Sequence, residues 1–166
     1  MQLSKKLILF QFILKQFGYD DFVSLRAEFN IRETGSNASG RSYFAGILVN
    51  RSKIIIEKHT LFAYDEAIQG YEKKLREHRA EPLFTLKYYQ WLALLFTEYY
   101  LDRYATNKIA FIRDLNAFIQ HHSDFKGMDG YTENDLKKLA FWMATGSGTV
   151  EVLARRKCGS FVSLPA

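Results

Sequence analysis

Apolar residues recur at helical spacing along most of this chain, and that pattern predicts a mainly α fold. Leu3, Leu7, Phe10, Leu14 and Phe17 mark one face of a first helix, over about Gln2 to Gln16, with Gly18 as its stop. Asp20 or Asp21 caps a second helix from Phe22 to Phe29, with Phe22, Leu25, Ala27 and Phe29 partly on one face. Thr34 to Gly40 is a solvated connector by composition. Ser42 to Val49 is apolar and fits helix or strand equally. Ile54-Ile55-Ile56 is β-branched and reads as a short strand or as the edge of a buried segment. The helical period returns with Thr60 as its cap, on the stripe Leu61, Tyr64, Ala67, Ile68, Tyr71 and Leu75, and Pro82 ends it. Leu86 to Tyr104 is the strongest helix, apolar on nearly every face between Trp91 and Leu101, as a helix surrounded by others must be. Asn107 caps the next, Lys108 to His121, with Ile109, Ile112, Leu115, Phe118 and Ile119 as its apolar stripe. The turn-rich Phe125 to Gly130 is the natural boundary between a helical N-terminal domain, 1–127, and a second unit, 128–166.

Composition changes this picture little. The 166 residues include 14 Phe and 10 Tyr, which favours a packed body over disorder. The formal charge of +5 is spread along the chain and points only weakly to an anionic partner. One cysteine, Cys158, excludes an intrachain disulfide and fits a reducing, cytoplasmic setting. The N-terminal apolar stretch, Leu7 to Leu14, is too short to span a bilayer and lacks a small-residue cleavage site after it. Lys87, Glu98, Asp102 and Arg103 argue against a membrane span in the strongest helix.

Candidate chemistry within the helical part is sparse. Glu98 and Asp102 lie one turn apart, a spacing that can hold a metal, but no histidine joins them and structural polar contacts are the better reading. His121 and His122 are adjacent and point about 100° apart on a helix, so they read as a polar helix end. The basic and acidic residues between Glu72 and Arg79 read as an ordinary solvated surface.

The C-terminal stretch is different. Leu139 to Ala144 reads as a buried strand, and Thr145-Gly146-Ser147-Gly148-Thr149 follows it as a glycine-containing phosphate loop. Such a loop curls successive backbone N–H groups around phosphates, with a lysine reaching the β- and γ-phosphates and a hydroxyl binding magnesium. The lysine is absent: Thr149 stands directly after Gly148. Val150 to Lys157 has helical character, as the helix after such a loop does.

Met143-Ala144-Thr145-Gly146-Ser147-Gly148 resembles motif I of the superfamily-two helicases, in the form common in DEAD/DEAH-box proteins and in the helicase (res) subunits of type III restriction enzymes. Upstream, Tyr64-Asp65-Glu66, Tyr89 to Glu98, Tyr100 to Tyr104 and Leu115 to Phe118 are similar to the region before motif I in large bacterial members, so the resemblance covers roughly Arg41 to Gly148. It implies an α/β motor lobe begun at Leu139 and left incomplete, with ATP and Mg2+ as the family's cofactors and Thr145, Gly146, Ser147, Gly148 and Thr149 as a degenerate nucleotide-binding loop. It further implies DNA as partner, a restriction or modification subunit beside it, and strand separation or translocation as activity. The sequence departs from the family at the lysine and in an atypical tail from about 149. The acidic motif II and the arginine fingers of motif VI are also missing. The expectation is therefore an N-terminal fragment without ATPase activity of its own, as a frameshift at the loop would produce. The alternative is a helical DNA- or protein-binding module with no nucleotide chemistry.

Overall fold

The computed structural model describes residues 7–30 and 33–137. Within them the chain forms five α-helices: α1 (Ile8–Gln16), α2 (Phe22–Asn30), α3 (Tyr43–Val49), α4 (Lys58–Arg79) and α5 (Tyr88–His121). Short 3-10 turns follow at Ser123–Phe125 and Asp135–Lys137. Among the described residues there is no strand; an isolated antiparallel bridge joins Ser36 to Ser42. The fold is mainly helical, as the periodicity predicts. The expected strand at Leu139 to Ala144, the phosphate loop and the tail lie outside the described residues.

α5 is the axis of the molecule. Residues 90–97, 99 and 100 are all buried, so the first part of this helix is enclosed on every face. Asn107 breaks it (φ −155°, ψ 79°), and the Asn107 side chain accepts the N–H of Ala110 at 2.9 Å. Asn107 is thus the cap of a second helical arm, as expected. The two arms fold against each other. A straight helix would separate residues 100 and 111 by about 16 Å, yet the rings of Tyr100 and Phe111 lie 5.6 Å apart. Arg103 and Asp114 close the corner at 2.5 Å. The second arm buries Phe111, Leu115 and Ile119; Ile109, expected on its apolar stripe, is 77% exposed because the arm turns its Phe111 face inward.

The other helices wrap this axis through aromatic contacts. Phe29 of α2 stacks on Phe44 of α3 at 5.7 Å, and both rings meet Trp91 of α5, at 6.1 and 5.6 Å. Phe17, just after α1, stacks on Phe96 at 5.6 Å. Phe12 of α1 reaches Phe118 in the second arm at 5.5 Å. The ambiguous stretch before Val49 is a helix because Ser42 caps it, accepting the Ala45 N–H at 3.0 Å. α2 buries only Leu25 and Phe29; Phe22 and Ala27, expected on its inner face, are exposed.

Helix ends depart from expectation in instructive ways. α4 begins at Lys58 with Glu57 as its N-cap, so Thr60 lies inside the first turn and caps nothing. It ends three residues before Pro82, where Ala80 takes a left-handed conformation (φ 52°) and the N–H of Glu81 reaches the Arg76 carbonyl at 3.1 Å. α1 ends in the same motif. Gly18 sits at φ 81°, Tyr19 N–H donates to Leu14 C=O at 2.9 Å, and Gly18 N–H donates to Lys15 C=O at 3.0 Å. Ile54 to Ile56 forms no strand. Its N–H groups at 55 and 56 donate to the Gln16 carbonyl at 3.0 and 3.4 Å, satisfying a helix-end acceptor that would otherwise lack a partner. Ile54 and Ile56 pack against the core, while Ile55 is exposed.

Candidate functional site

The residues expected to cradle a phosphate, Thr145 to Thr149, lie outside the described residues, so the described site is the polar network inside the helical body. Its centre is Asp65, on the inner face of α4 and fully buried. A carboxylate in that position is costly unless donors surround it. Here they do. The backbone N–H of Ser42 donates to Oδ2 at 3.0 Å, and the Ser42 hydroxyl donates to Oδ1. Gln69 Nε2 donates to Oδ2 at 2.9 Å and Trp91 Nε1 to Oδ1 at 3.3 Å. One side chain thereby ties the cap of α3, the body of α4 and the axis helix α5. The Ser42 hydroxyl also caps α3, so hub and cap are one unit.

A second tier lies along the α4–α5 contact. The Tyr64 hydroxyl donates to Asp102 at 2.5 Å, and the Tyr71 hydroxyl donates to Glu98 at 3.0 Å. The two carboxylates that could have formed a metal pair each hold a tyrosine of the neighbouring helix. Burial and the Asp102 carboxylate together drive the Tyr64 hydroxyl well above the ordinary tyrosine range. At the start of α5, Glu72 accepts the Leu86 N–H at 2.8 Å and pairs with Arg76, whose Nε donates to the Phe84 carbonyl at 2.6 Å. The α4–α5 connection is therefore clamped by side chains from the end of α4.

A third cluster joins α1, α2 and α3. Arg51 pairs with Glu28, donates to the Gly18 carbonyl at 3.0 Å and lies 3.7 Å from the centre of the Tyr19 ring. The Tyr19 hydroxyl donates to Glu28 at 2.8 Å. Burial first, then Glu28, raises its pKa.

These three arrangements hold helices together, and their reactive groups are engaged. Asp65 has no solvent access, and Glu98 and Asp102 are bonded to hydroxyls. Among the described residues no group of three or more His, Cys, Asp or Glu could hold a metal ion. His121 ends α5, while His122 lies beyond it, bonded to the Phe118 carbonyl at 3.0 Å and packed 4.0 Å from its ring. Asp65 does not stand among the candidates drawn from the sequence, although its signal is present there. An acidic residue beside Tyr64, within the span whose stripe runs from Leu61 to Ile68, is a buried charge that must find donors.

Three of the four pieces that carry the upstream resemblance meet in this network; the fourth, Leu115 to Phe118, does not. Tyr64 and Asp65 meet Asp102 and Trp91, and Asn116 and Phe118 belong to the second arm's contacts. Compared with models of known protein families, with curated proteins and with solved structures, the chain matches none. No helix among the described residues is long and apolar enough to cross a membrane.

Proposed function

We propose that the chain is the helical N-terminal region of a superfamily-two, restriction-type helicase or translocase, which delivers a motif I-like segment at Met143 to Gly148. The observation that carries the reading is the Met-Ala-Thr-Gly-Ser-Gly run placed after a helical body. The meeting of three of the four upstream similar pieces in one α4–α5 network supports it, because a body that must present a motor lobe needs a rigid frame. In this reading DNA is the partner, a restriction or modification subunit accompanies it, and the setting is cytoplasmic.

ATP and Mg2+ belong to the family's chemistry rather than to this chain's own. With Thr149 where the lysine is required, a charge-assisted phosphate contact of about 1.5–3 kcal/mol is lost. That is a roughly ten- to 150-fold weaker hold on nucleotide. The chain by itself is expected to show no Mg2+-dependent ATPase. Inserting a lysine after Gly148 and joining a complete downstream motor lobe is expected to produce DNA-stimulated ATPase. Hydrolysis by the unaltered chain, or none from the completed one, overturns the proposal.

A binding module without nucleotide chemistry is the second reading. It is favoured by the continuous core that joins α1 to α5 within the described residues. DNA affinity that falls steeply with salt, measured on a chain shortened to end at residue 137, would favour it.

A further inference from the structure

After the 3-10 turn at Ser123–Phe125 the chain returns across the body as a strap, residues 128–137. Gly127, at φ 84°, stands directly before it. The strap carries its own local order. Thr132 donates from its N–H and its hydroxyl to Asp135 Oδ2, at 2.9 and 2.6 Å, and the Asp135 N–H returns to the Thr132 carbonyl at 3.2 Å. It is pinned to the body at a few points. Asn116 holds residue 131 from both sides, accepting the Tyr131 N–H at 2.6 Å and donating to the Tyr131 carbonyl at 3.2 Å. The side-chain amide thus replaces a neighbouring backbone. Gly130 lies so close that an added Cβ would stand 3.0 Å from Asn116 Oδ1. Tyr100 donates its hydroxyl to the Leu136 carbonyl, and Lys108 reaches Glu133 at 3.4 Å. The Tyr131 hydroxyl meets the backbone of Leu9, in the first turn of α1 where N–H groups lack helical partners.

Between these pins the contact is open. A groove of about 300 Å³, open to solvent, runs along the strap beside Leu9, Tyr100, Tyr131 and Leu136, with Asp129 and Asp135 also lining it. Of residues 128–137 only Leu136 is buried, as a member of the core, and Tyr131 is half-buried; the rest are exposed, so the strap separates at lower cost than the ring-packed centre around Trp91.

We infer that residues 128–137 are a latch that releases from the helical body as one unit, with Asn116 as its catch. A pull on the segment after 137 acts first on Leu136, which is buried in the core beneath the Tyr100 hydroxyl, and then on the Asn116–Tyr131 pair. Release uncovers the Leu9–Tyr100 face and frees the first turn of α1. The inference stands on the strap's own contacts and does not require the nucleotide reading.

Hydrogen exchange of the full chain tests it. N116A is expected to accelerate exchange of the amides of 128–137 by at least about ten-fold, while those of α4 and the first arm of α5 keep their wild-type rates. Y131F, which retains the ring and the Asn116 contacts, is expected to accelerate only the first turn of α1 and the strap, and to a smaller degree. Acceleration spread evenly through α4 and α5, or none in the strap, overturns the latch. If N116A does not fold, the same two patterns are read from Y131F.

Discussion

Asp65 shows how much one residue can organise. Four donors from three elements converge on its carboxylate, and none of them has another use as good inside a dry core. Replacing the carboxylate by an amide turns one acceptor into a donor that faces donors. Asp65→Asn is expected to cost about 2–4 kcal/mol, measured as a shift in the denaturant midpoint. Ser42→Ala removes both a donor to Asp65 and the α3 cap, for about 1–2 kcal/mol. The double variant is expected to lose less than the sum of the two, since the second change falls on a network already broken. A strictly additive result would show that the hub is not one unit. The hub could be located in the sequence, but its partners could not, because Ser42 and Trp91 lie 23 and 26 residues away on other helices.

At the scale of the element, helix ends decide the path of the chain. α1 and α4 close with the same backbone motif, one on Gly18 and the other on Ala80. Gly18 is confined twice: its φ is positive, and a Cβ there would come within 2.9 Å of the Lys53 backbone. Gly18→Ala is expected to destabilise by roughly 2–3 kcal/mol. Ala80 bears the left-handed strain without glycine's freedom, so Ala80→Gly is expected to stabilise by about 0.5–1 kcal/mol. Thermal or chemical unfolding of the pair reads both signs, and equal signs would contradict this account of the two ends. Glycine after a periodic run was legible as a stop. Alanine in the same role was not, because only the packing that follows α4 compels it.

For the whole molecule, the buried tyrosines set the response to alkali. Burial pushes Tyr99 and Tyr100 up from 10.0 to about 12. Burial also raises Tyr19, Tyr64 and Tyr131, with acidic neighbours adding to the rise. A hydroxyl whose folded pKa lies above its unfolded value keeps its proton in the native state after the unfolded chain has lost it. Its contribution to stability is therefore complete below about pH 10 and is lost as pH climbs through the folded values. Denaturant midpoints are expected to be flat to near pH 10 and to fall steeply between pH 10 and 12. The tyrosinate absorbance of these residues is expected to appear only with unfolding. A tyrosinate signal from more than five of the ten tyrosines before the loss of helix would show these hydroxyls to be open to solvent. The body as a whole is a scaffold of this kind: aromatic rings fill it, tyrosine hydroxyls and carboxylates fasten its helices, and a pinned strap leads to the segment beyond 137.

The sequence by itself determined four of the five described helices, the enclosure of α5 and the Asn107 break, because periodicity, all-round apolarity and a capping side chain are local signals. It also carried the motif-like run at Met143 to Gly148, a matter of residue identity alone. Only the tertiary structure decided the rest. Ser42 to Val49 became helix when Ser42 found both Ala45 and Asp65. The isoleucines at 54 to 56 gave up a strand for the end of α1, where a carbonyl lacked a donor. Glu98 and Asp102 turned to tyrosines of α4. Each outcome depends on a partner far along the chain, and hydrogen-bonding groups withdrawn from water take the partner that packing brings within reach.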